Sequence, residues 1–229
     1  MLSTLQVIIP ALNEEATIGA VVRDLRACGC TRIRVIDNGS SDGTAAAAAA
    51  AGAEVCPEPH RGYGQACWTG AQGLDPAVAW LAFFAADGSD RPDDLVVLAT
   101  RAREGVDLVL GDRTARSGSR ATLTRLQRAG NTLATRLIRW GWGHRFQDLG
   151  PLRVIRRDLF ARLELRDRGY GWTLEMQVRA IELGARVVEL PVEARMRRGG
   201  QSKISGTLVG SLRAGTVILS TLLRLRLRR

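Results

Sequence analysis

Gln6-Val-Ile-Ile-Pro-Ala-Leu-Asn-Glu-Glu15 runs from β-branched residues straight into a polar, acidic loop. The run Gln6 to Pro10 reads as a short buried strand. Ile18, Val21, Val22 and Leu25 recur at helical spacing between Glu14 and Ala27 and read as a helix. The same arrangement then repeats. Ile33 to Ile36 is a second strand, Thr44 to Ala51 a nearly all-alanine helix capped by Ser41 or Asp42, and Glu54 to Cys56 a third strand. Gly64 to Leu74 follows as a helix and Ala79 to Phe84 as a fourth strand. Strands alternating with helices specify an α/β fold, a parallel sheet covered on both faces, whose ligands bind at the carboxyl ends of the strands.

The loops at those ends are Pro10-Ala-Leu-Asn-Glu-Glu15, Asp37-Asn-Gly-Ser-Ser-Asp-Gly-Thr44 and Ala85-Ala-Asp-Gly-Ser-Asp90. Each alone is explained by turn and cap chemistry. Together they offer carboxylates, glycine turns and helix N-termini at three strand ends, which suits a nucleotide bound with a divalent metal. Neither G-x-x-x-x-G-K-[ST] nor G-x-G-x-x-G is present, which excludes a P-loop and a dinucleotide fingerprint.

The second half is less regular. Val106 to Leu110 reads as a strand, Leu123 to Arg139 as a basic amphipathic helix, Leu152 to Ile155 as a strand, Trp172 to Leu183 as a helix and Val187 to Val192 as a late strand. With 229 residues, the chain has the size of one large domain. The excess of 33 basic over 23 acidic residues is concentrated at the end: nine basic and no acidic residues lie beyond Glu193. A basic tail seeks phosphates. Its longest charge-free run, Ala214 to Leu223, is half the length of a membrane span. Two readings of the tail stand open: a basic amphipathic helix lying on a membrane, built on Leu208, Leu212, Leu219 and Leu222, or a helix packed on the domain. Cys28, Cys30, Cys56 and Cys67 lack the spacing of a zinc site and read as free thiols. The first residues have no basic region before their apolar run and are not expected to be a signal peptide.

Eight ordered motifs carry a resemblance. Val7 to Glu15, Val35 to Thr44, Arg61-Gly-Tyr-Gly64 and Ala86-Asp-Gly88 resemble the motifs of family 2 glycosyltransferases. Gly111-Asp-Arg113, Arg128-Ala-Gly-Asn131, Phe146-Gln-Asp-Leu-Gly150 and Arg197-Arg-Gly-Gly-Gln-Ser-Lys203 continue it. The chain is most similar to the branch of dolichyl-phosphate mannose synthase and bacterial polyprenyl-phosphate glycosyltransferases. The resemblance implies a GT-A fold, a mixed and mostly parallel central sheet flanked by helices. It also implies a single domain over 1–206, with a nucleotide-binding half to about 110 and an acceptor half from 111. Residues 207–229 are left as a basic amphipathic C-terminal helix.

The resemblance further implies that Pro10, Asn13 and Glu15 line the nucleotide pocket and that Asp37 meets the base or ribose. Asp87 holds Mg²⁺ or Mn²⁺ on the diphosphate, and Arg197 and Lys203 close over it. Arg113 and Arg128 grip an acceptor phosphate, and Asp148 lies by the acceptor as its candidate catalytic base. One departure stands out: the family's Asp-x-Asp is here Ala85-Ala86-Asp87, so the first acid is missing, and Asp90 three residues on is its candidate substitute. The implied activity is metal-dependent, inverting transfer of a sugar from a UDP- or GDP-sugar to a polyprenyl phosphate at the cytoplasmic membrane face, with an anionic membrane surface as partner. A soluble hydroxyl acceptor is the main alternative. A nucleotide-sugar binder without turnover is a third reading, motivated by Ala85. Nucleic acid is disfavoured, because the positive charge is terminal and not interleaved with aromatics. A phosphate acceptor is already anionic and needs Arg113 and Arg128 more than a base, whereas a hydroxyl acceptor needs Asp148.

Overall fold

The computed structural model describes residues 2–199 and 208–227. A 3₁₀ turn at Leu2–Thr4 leads into β1 (Leu5–Ala11), α1 (Glu15–Ala27), β2 (Arg32–Asp37), α2 (Thr44–Ala50), β3 (Glu54–Pro57), α3 (Tyr63–Gly70), β4 (Trp80–Phe83) and α4 (Pro92–Ala102). Next come β5 (Leu108–Asp112), α5 (Ser117–Thr122), α6 (Arg125–Trp142), β6 (Arg153–Arg156), α7 (Arg157–Leu163), α8 (Trp172–Glu182), β7 (Val187–Pro191) and α9 (Leu208–Leu227). The strands form one sheet in the order β3-β2-β1-β4-β6-β5-β7. β6 runs antiparallel to β4 and β5, and every other pair is parallel.

That topology sends the carboxyl ends of β1, β2, β4, β5 and β7 to one edge of the sheet, and the segment entering β6 arrives there too. The register places Ala11 beside Asp37 and Asp112 beside Pro191. Successive residues alternate between two cores. Val7, Ile9, Val35 and Ala82 pack with Ile18, Val22, Leu95 and Leu98, while Ile8, Ile36, Leu81 and Phe83 pack with Trp172, Ile138 and Leu159. Burial on both faces is why the central strands read as continuous apolar runs.

Three helices escaped the sequence reading: α4, α5 and α7. The signal for α4 is nonetheless present, with Pro92 in its first turn, Asp93 and Asp94 at the positive end of its dipole, and Leu95, Leu98, Ala99 and Ala102 buried at helical spacing. α3 stops at Gly70, short of the expected Leu74. α6 runs beyond the expected Arg139. It starts at a capping box between Thr124 and Gln127 and ends at Gly143, whose φ of 74° suits a glycine.

The C-terminal helix α9 packs on the domain. Leu222 and Leu225 are buried among α6 and α8 residues, with Ile218 beside them. Arg224 pairs with Asp167 at 2.9 Å, and Arg226 donates to the Gly141 carbonyl at 3.1 Å. Each fully buried leucine contributes about 1.5–3 kcal/mol, so two anchor this helix well. Leu219, Leu223 and Leu227 stay exposed on its outer side. Among the described residues no helix is long and apolar enough to cross a membrane.

Candidate active site

The loop after β1 and the loop after β2 are built as one piece. Asn13 adopts φ +51°, a left-handed conformation that asparagine tolerates better than most residues. In that conformation its amide N–H donates to Ser40 Oγ at 2.9 Å, while its side-chain Oδ1 accepts from the Ser41 amide at 2.8 Å. Glu15 accepts from the Gly43 amide at 3.0 Å, so its carboxylate serves the entrance of α2. The residue preceding α2 is Gly43 rather than Ser41 or Asp42; Asp42 instead accepts from the Thr44 amide at 3.1 Å. Asp37 accepts from the Ser40 amide at 3.0 Å. Pro10 is the penultimate residue of β1, beside Ile36.

Glu14, absent from the sequence-derived site, is the glutamate that turns inward. It is buried, and its carboxylate accepts from Arg197 Nη2 at 2.6 Å. Thr17 on α1 donates to the Ala86 carbonyl at 2.9 Å, tying α1 to the loop after β4. In that loop Gly88 takes φ +73°, and a Cβ there would lie 2.8 Å from Arg198 Cδ. The tight passage lets the Arg195–Arg198 segment run alongside. Arg195 N–H donates to the Ser89 carbonyl at 2.9 Å, and Arg198 N–H to that of Asp87 at 3.0 Å. Arg197 thereby reaches Asp87, with Nε 3.4 Å from Oδ2, although the alignment makes no hydrogen bond and Nε has no hydrogen-bond partner among the described residues. Lys203 lies outside the described residues.

Asp87 Oδ1 accepts from the Ser89 amide at 2.9 Å. Among the described residues Oδ2 faces the Arg197 guanidinium. Among the described residues no group of three or more His, Cys, Asp or Glu could hold a metal alone. One carboxylate oxygen beside Arg197 fits a cation that draws its other ligands from a diphosphate, the usual habit of Mg²⁺. Asp90, the candidate substitute for the missing first acid, turns back and accepts from the Ala85 amide at 3.0 Å. Burial, with the Asp87 charge adding, pushes its carboxyl up to about 7 against the Ala85 bond and the Arg113 charge.

Further along the same sheet edge Asp148 and Arg113 form a two-pronged pair, Nε to Oδ2 at 2.7 Å and Nη2 to Oδ1 at 2.9 Å. The Arg113 and Leu149 amides donate to the same carboxylate at 3.1 and 2.8 Å. Asp148 is only 1% exposed. Gly150 makes the fit possible, since a Cβ there would sit 3.0 Å from Asp148 Oδ2 and 3.1 Å from Arg113 Nε. Burial works against the Arg113 charge, but the bonds to Asp148 and the charges of Asp148, Asp90 and Asp112 outweigh it and raise its pKa.

Arg128 has no acidic partner among the described residues. One turn later on α6, Asn131 donates to the Gln147 carbonyl at 3.0 Å and accepts from the Leu149 amide at 2.9 Å, which clips the Arg128 side of α6 to the Asp148 loop. Glu189 on β7 accepts from the Gln147 amide at 2.9 Å and the Asp148 amide at 3.0 Å. Burial, with Asp112 and Asp148 adding, pushes Glu189 up to about 7 against those bonds. Asp112 holds the Thr114 amide and hydroxyl at 2.7 and 2.6 Å.

Arg153, fully buried, donates to the carbonyls of Gly150 and Thr173, while Gln177 donates to that of Asp148 at 3.1 Å. Glu175 neither faces the cleft nor caps α8. It is buried and accepts from the Arg166 and Asp167 amides. Trp172 is core, Trp142 is half-buried with its Nε1 on Glu182, and Trp140 is 88% exposed. All four cysteines are free thiols.

An acid beside basic residues at the first strand ends, facing a guanidinium fork across the same sheet edge, is the arrangement of a GT-A glycosyltransferase. The sequence profile described as Glycosyl transferase family 2 matches residues 6–163, and the chain belongs to that family. It is 39% identical over 206 residues to an uncharacterized glycosyltransferase of Mycobacterium tuberculosis, covering 90% of this chain and 92% of that protein. It is 33% identical over 219 residues to the polyprenol monophosphomannose synthase of Mycolicibacterium smegmatis, covering 88% and 81%. Among solved structures it superposes on glucosyl-3-phosphoglycerate synthase of Mycobacterium tuberculosis, crystallised with Mn²⁺, UDP-glucose and phosphoglyceric acid. The TM-score is 0.72 at 26% identity, over 96% of this chain and 79% of that one.

Proposed function

We propose that the protein transfers a sugar, with inversion and metal dependence, from a UDP- or GDP-sugar to a polyprenyl phosphate. The observation that carries the acceptor class is the state of the acids in the acceptor half. Asp148 is filled by Arg113 and two amides, Glu189 by amides, and Asp112 by Thr114. None is left as a ready base for a hydroxyl, while a guanidinium held in one orientation and Arg128 one turn from the same loop suit an anion. In this reading Asp148 is a positioning residue for Arg113.

Pro10, Asn13, Glu15 and Asp37 shape the nucleoside side, Glu15 and Asn13 by fixing the loops. Asp87 would hold the metal, which when bound neutralises charge on the diphosphate. Arg197 and Lys203 meet that same charge from the other side. The acceptor phosphate oxygen attacks the anomeric carbon as the bond from that carbon to the diphosphate breaks. The electron pair leaves on the nucleoside diphosphate, and no proton has to be removed.

The test is transfer from radiolabelled nucleotide sugars to a short-chain polyprenyl phosphate with Mg²⁺ or Mn²⁺, read as organic-extractable label. Label lost in Asp87→Ala supports the reading. The likeness to glucosyl-3-phosphoglycerate synthase favours a second reading, a small soluble anionic acceptor, for which nucleoside diphosphate is released with water-soluble phosphates and no label enters the organic phase. Donor binding without either product would select the non-catalytic binder.

A further inference from the structure

We infer that Arg153 is a positioning residue for the acceptor clamp, holding from beneath the turn that aims Asp148 at Arg113. The inference deepens the phosphate-acceptor reading and rests on it for its purpose. Arg153 opens β6, the antiparallel strand between β4 and β5, and its register partners are Phe83 and Leu110. It therefore sits between the strand that leads to Asp87 and the strand that leads to Arg113. Arg153 is fully buried. An arginine at such depth is ordinarily paired with an acid. Its bonds go to carbonyls instead: Nη2 donates to Gly150, Nη1 to Thr173 at 3.1 Å and Nε to Pro151 at 3.3 Å. Met176 Sδ lies 3.5 Å from Nη1, and the Trp172 ring centroid 5.7 Å from Cζ.

For stability alone this is a poor choice of residue, since an apolar side chain of similar volume fills a site without desolvating a charge. What the guanidinium adds is direction. Its planar fork offers donors at fixed angles, and here they join the Gly150–Pro151 turn to the first turn of α8. Gln177, one turn further along α8, donates to the Asp148 carbonyl at 3.1 Å. Thr173 and Gln177 thus grip the turn at both ends, the first through Arg153 and the second directly. The turn passes that hold on to the clamp because it has no slack. Gly150 lies so close to the ion pair that a Cβ would stand 3.0 Å from Asp148 Oδ2 and 3.1 Å from Arg113 Nε. A shift of Gly150 toward the pair is a clash, and a shift away carries Asp148 with it. Packing this tight transmits small displacements.

The experiment follows the Nε–H signal of Arg113 in proton–nitrogen spectra of the full chain, assigned by its loss in Arg113→Gln. In the parent the bond to Asp148 should protect that proton from exchange with water. In Arg153→Met the exchange should be at least about tenfold faster. KM for a short-chain polyprenyl phosphate should rise about tenfold or more while KM for the nucleotide sugar stays that of the parent. A mere loss of folded protein lowers kcat and leaves both KM values in place, so the split reports positioning. Arg153→Lys keeps a charge without the fork and should fall between parent and Arg153→Met. If Arg153→Met does not fold, Arg153→Lys and Gln177→Leu carry the same test, the second by releasing the Asp148 carbonyl with no change of charge. An Arg113 signal and an acceptor KM that match the parent in the folded variants overturn the inference. Failure of the acceptor reading looks different. No lipid transfer by the parent, with the Arg113 proton still exposed to exchange in Arg153→Met, removes that reading and leaves Arg153 in its role.

Discussion

The two ends of the cleft use charge in opposite ways. At the proposed donor end Asn13, Glu15, Asp37 and Asp42 bind amides of their own or neighbouring loops, and among the described residues the acid left available is Asp87, with Arg197 near its Oδ2. At the acceptor end Asp112, Asp148 and Glu189 are filled, and what remains available is arginine. A donor that arrives as a diphosphate with a cation calls for an acid with basic residues near it. An acceptor that arrives as an anion calls for arginine and for carboxylates that are already engaged. In the proposed reading, that contrast favours a phosphate acceptor over a hydroxyl acceptor.

The largest effect tests the acceptor end. Asp148→Asn leaves Arg113 without its buried partner and should destabilise the fold by about 3–5 kcal/mol in urea unfolding. The double variant Asp148→Asn/Arg113→Gln should recover part of that loss yet transfer no sugar, because the phosphate clamp is gone. If Asp148→Asn kept its stability and lost only turnover, Asp148 would be a base and the contrast between the two ends would collapse. Asp87→Asn tests the donor end. Transfer should fall about 10²–10³-fold with little change in unfolding midpoint, since asparagine keeps an oxygen for the Ser89 amide.

The strand ends and loops of the first half were largely legible in the sequence. β1, β2 and β4 are covered on both faces and read as apolar runs, and their loops bond over short distances, as in Ser40 to Asp37 and Thr44 to Asp42. Legibility failed where the partner is remote. Two glutamates stand side by side at the start of α1. Which one turns inward is decided by the backbone at Asn13 and by Arg197, 183 residues away from Glu14. The direction of Asp90 depends on the turn at Gly88. In the acceptor half, the pairing of Arg113 with Asp148 spans 35 residues and that of Gln147 with Glu189 spans 42, and no local pattern announces either. Glu189, Asn131 and Arg153 were missed for that reason. The antiparallel direction of β6 likewise follows from its partners on both sides, not from its own four residues.

Arg197 sharpens the donor half of the comparison. Its guanidinium bridges Glu14 and Asp87, standing where a cation would be welcome. Arg197→Gln should reduce transfer about 10–100-fold, because one donor to the leaving diphosphate is lost. The same change should tighten Mn²⁺ binding measured by titration calorimetry without nucleotide, because a competing charge leaves Asp87. Weaker Mn²⁺ binding in that variant would mean that Arg197 organises Asp87 instead of competing for it.

The smallest effect is on pH dependence, and it reports on both ends at once. Asp90 and Glu189 are raised by burial from ordinary carboxyl values to about 7. Between about pH 4.5 and 7 the folded chain therefore holds protons that the unfolded chain has released, and stability must fall as pH rises through that window. The slope from each group is at most about 1.4 kcal/mol per pH unit. It is opposed at lower pH by acids such as Glu58, which bonds from Thr69 and Gln65 hold down at about 2. Asp90→Asn keeps an oxygen for the Ala85 amide and removes the titration, so its unfolding midpoint should decline less than that of the parent between pH 5 and 7.5. Glu189→Gln should flatten the decline in the same sense. If only the Asp90 variant flattened the curve, the strain of buried charge would lie at the donor end. If only the Glu189 variant did, it would lie behind the Asp148 loop, where the acceptor clamp is held.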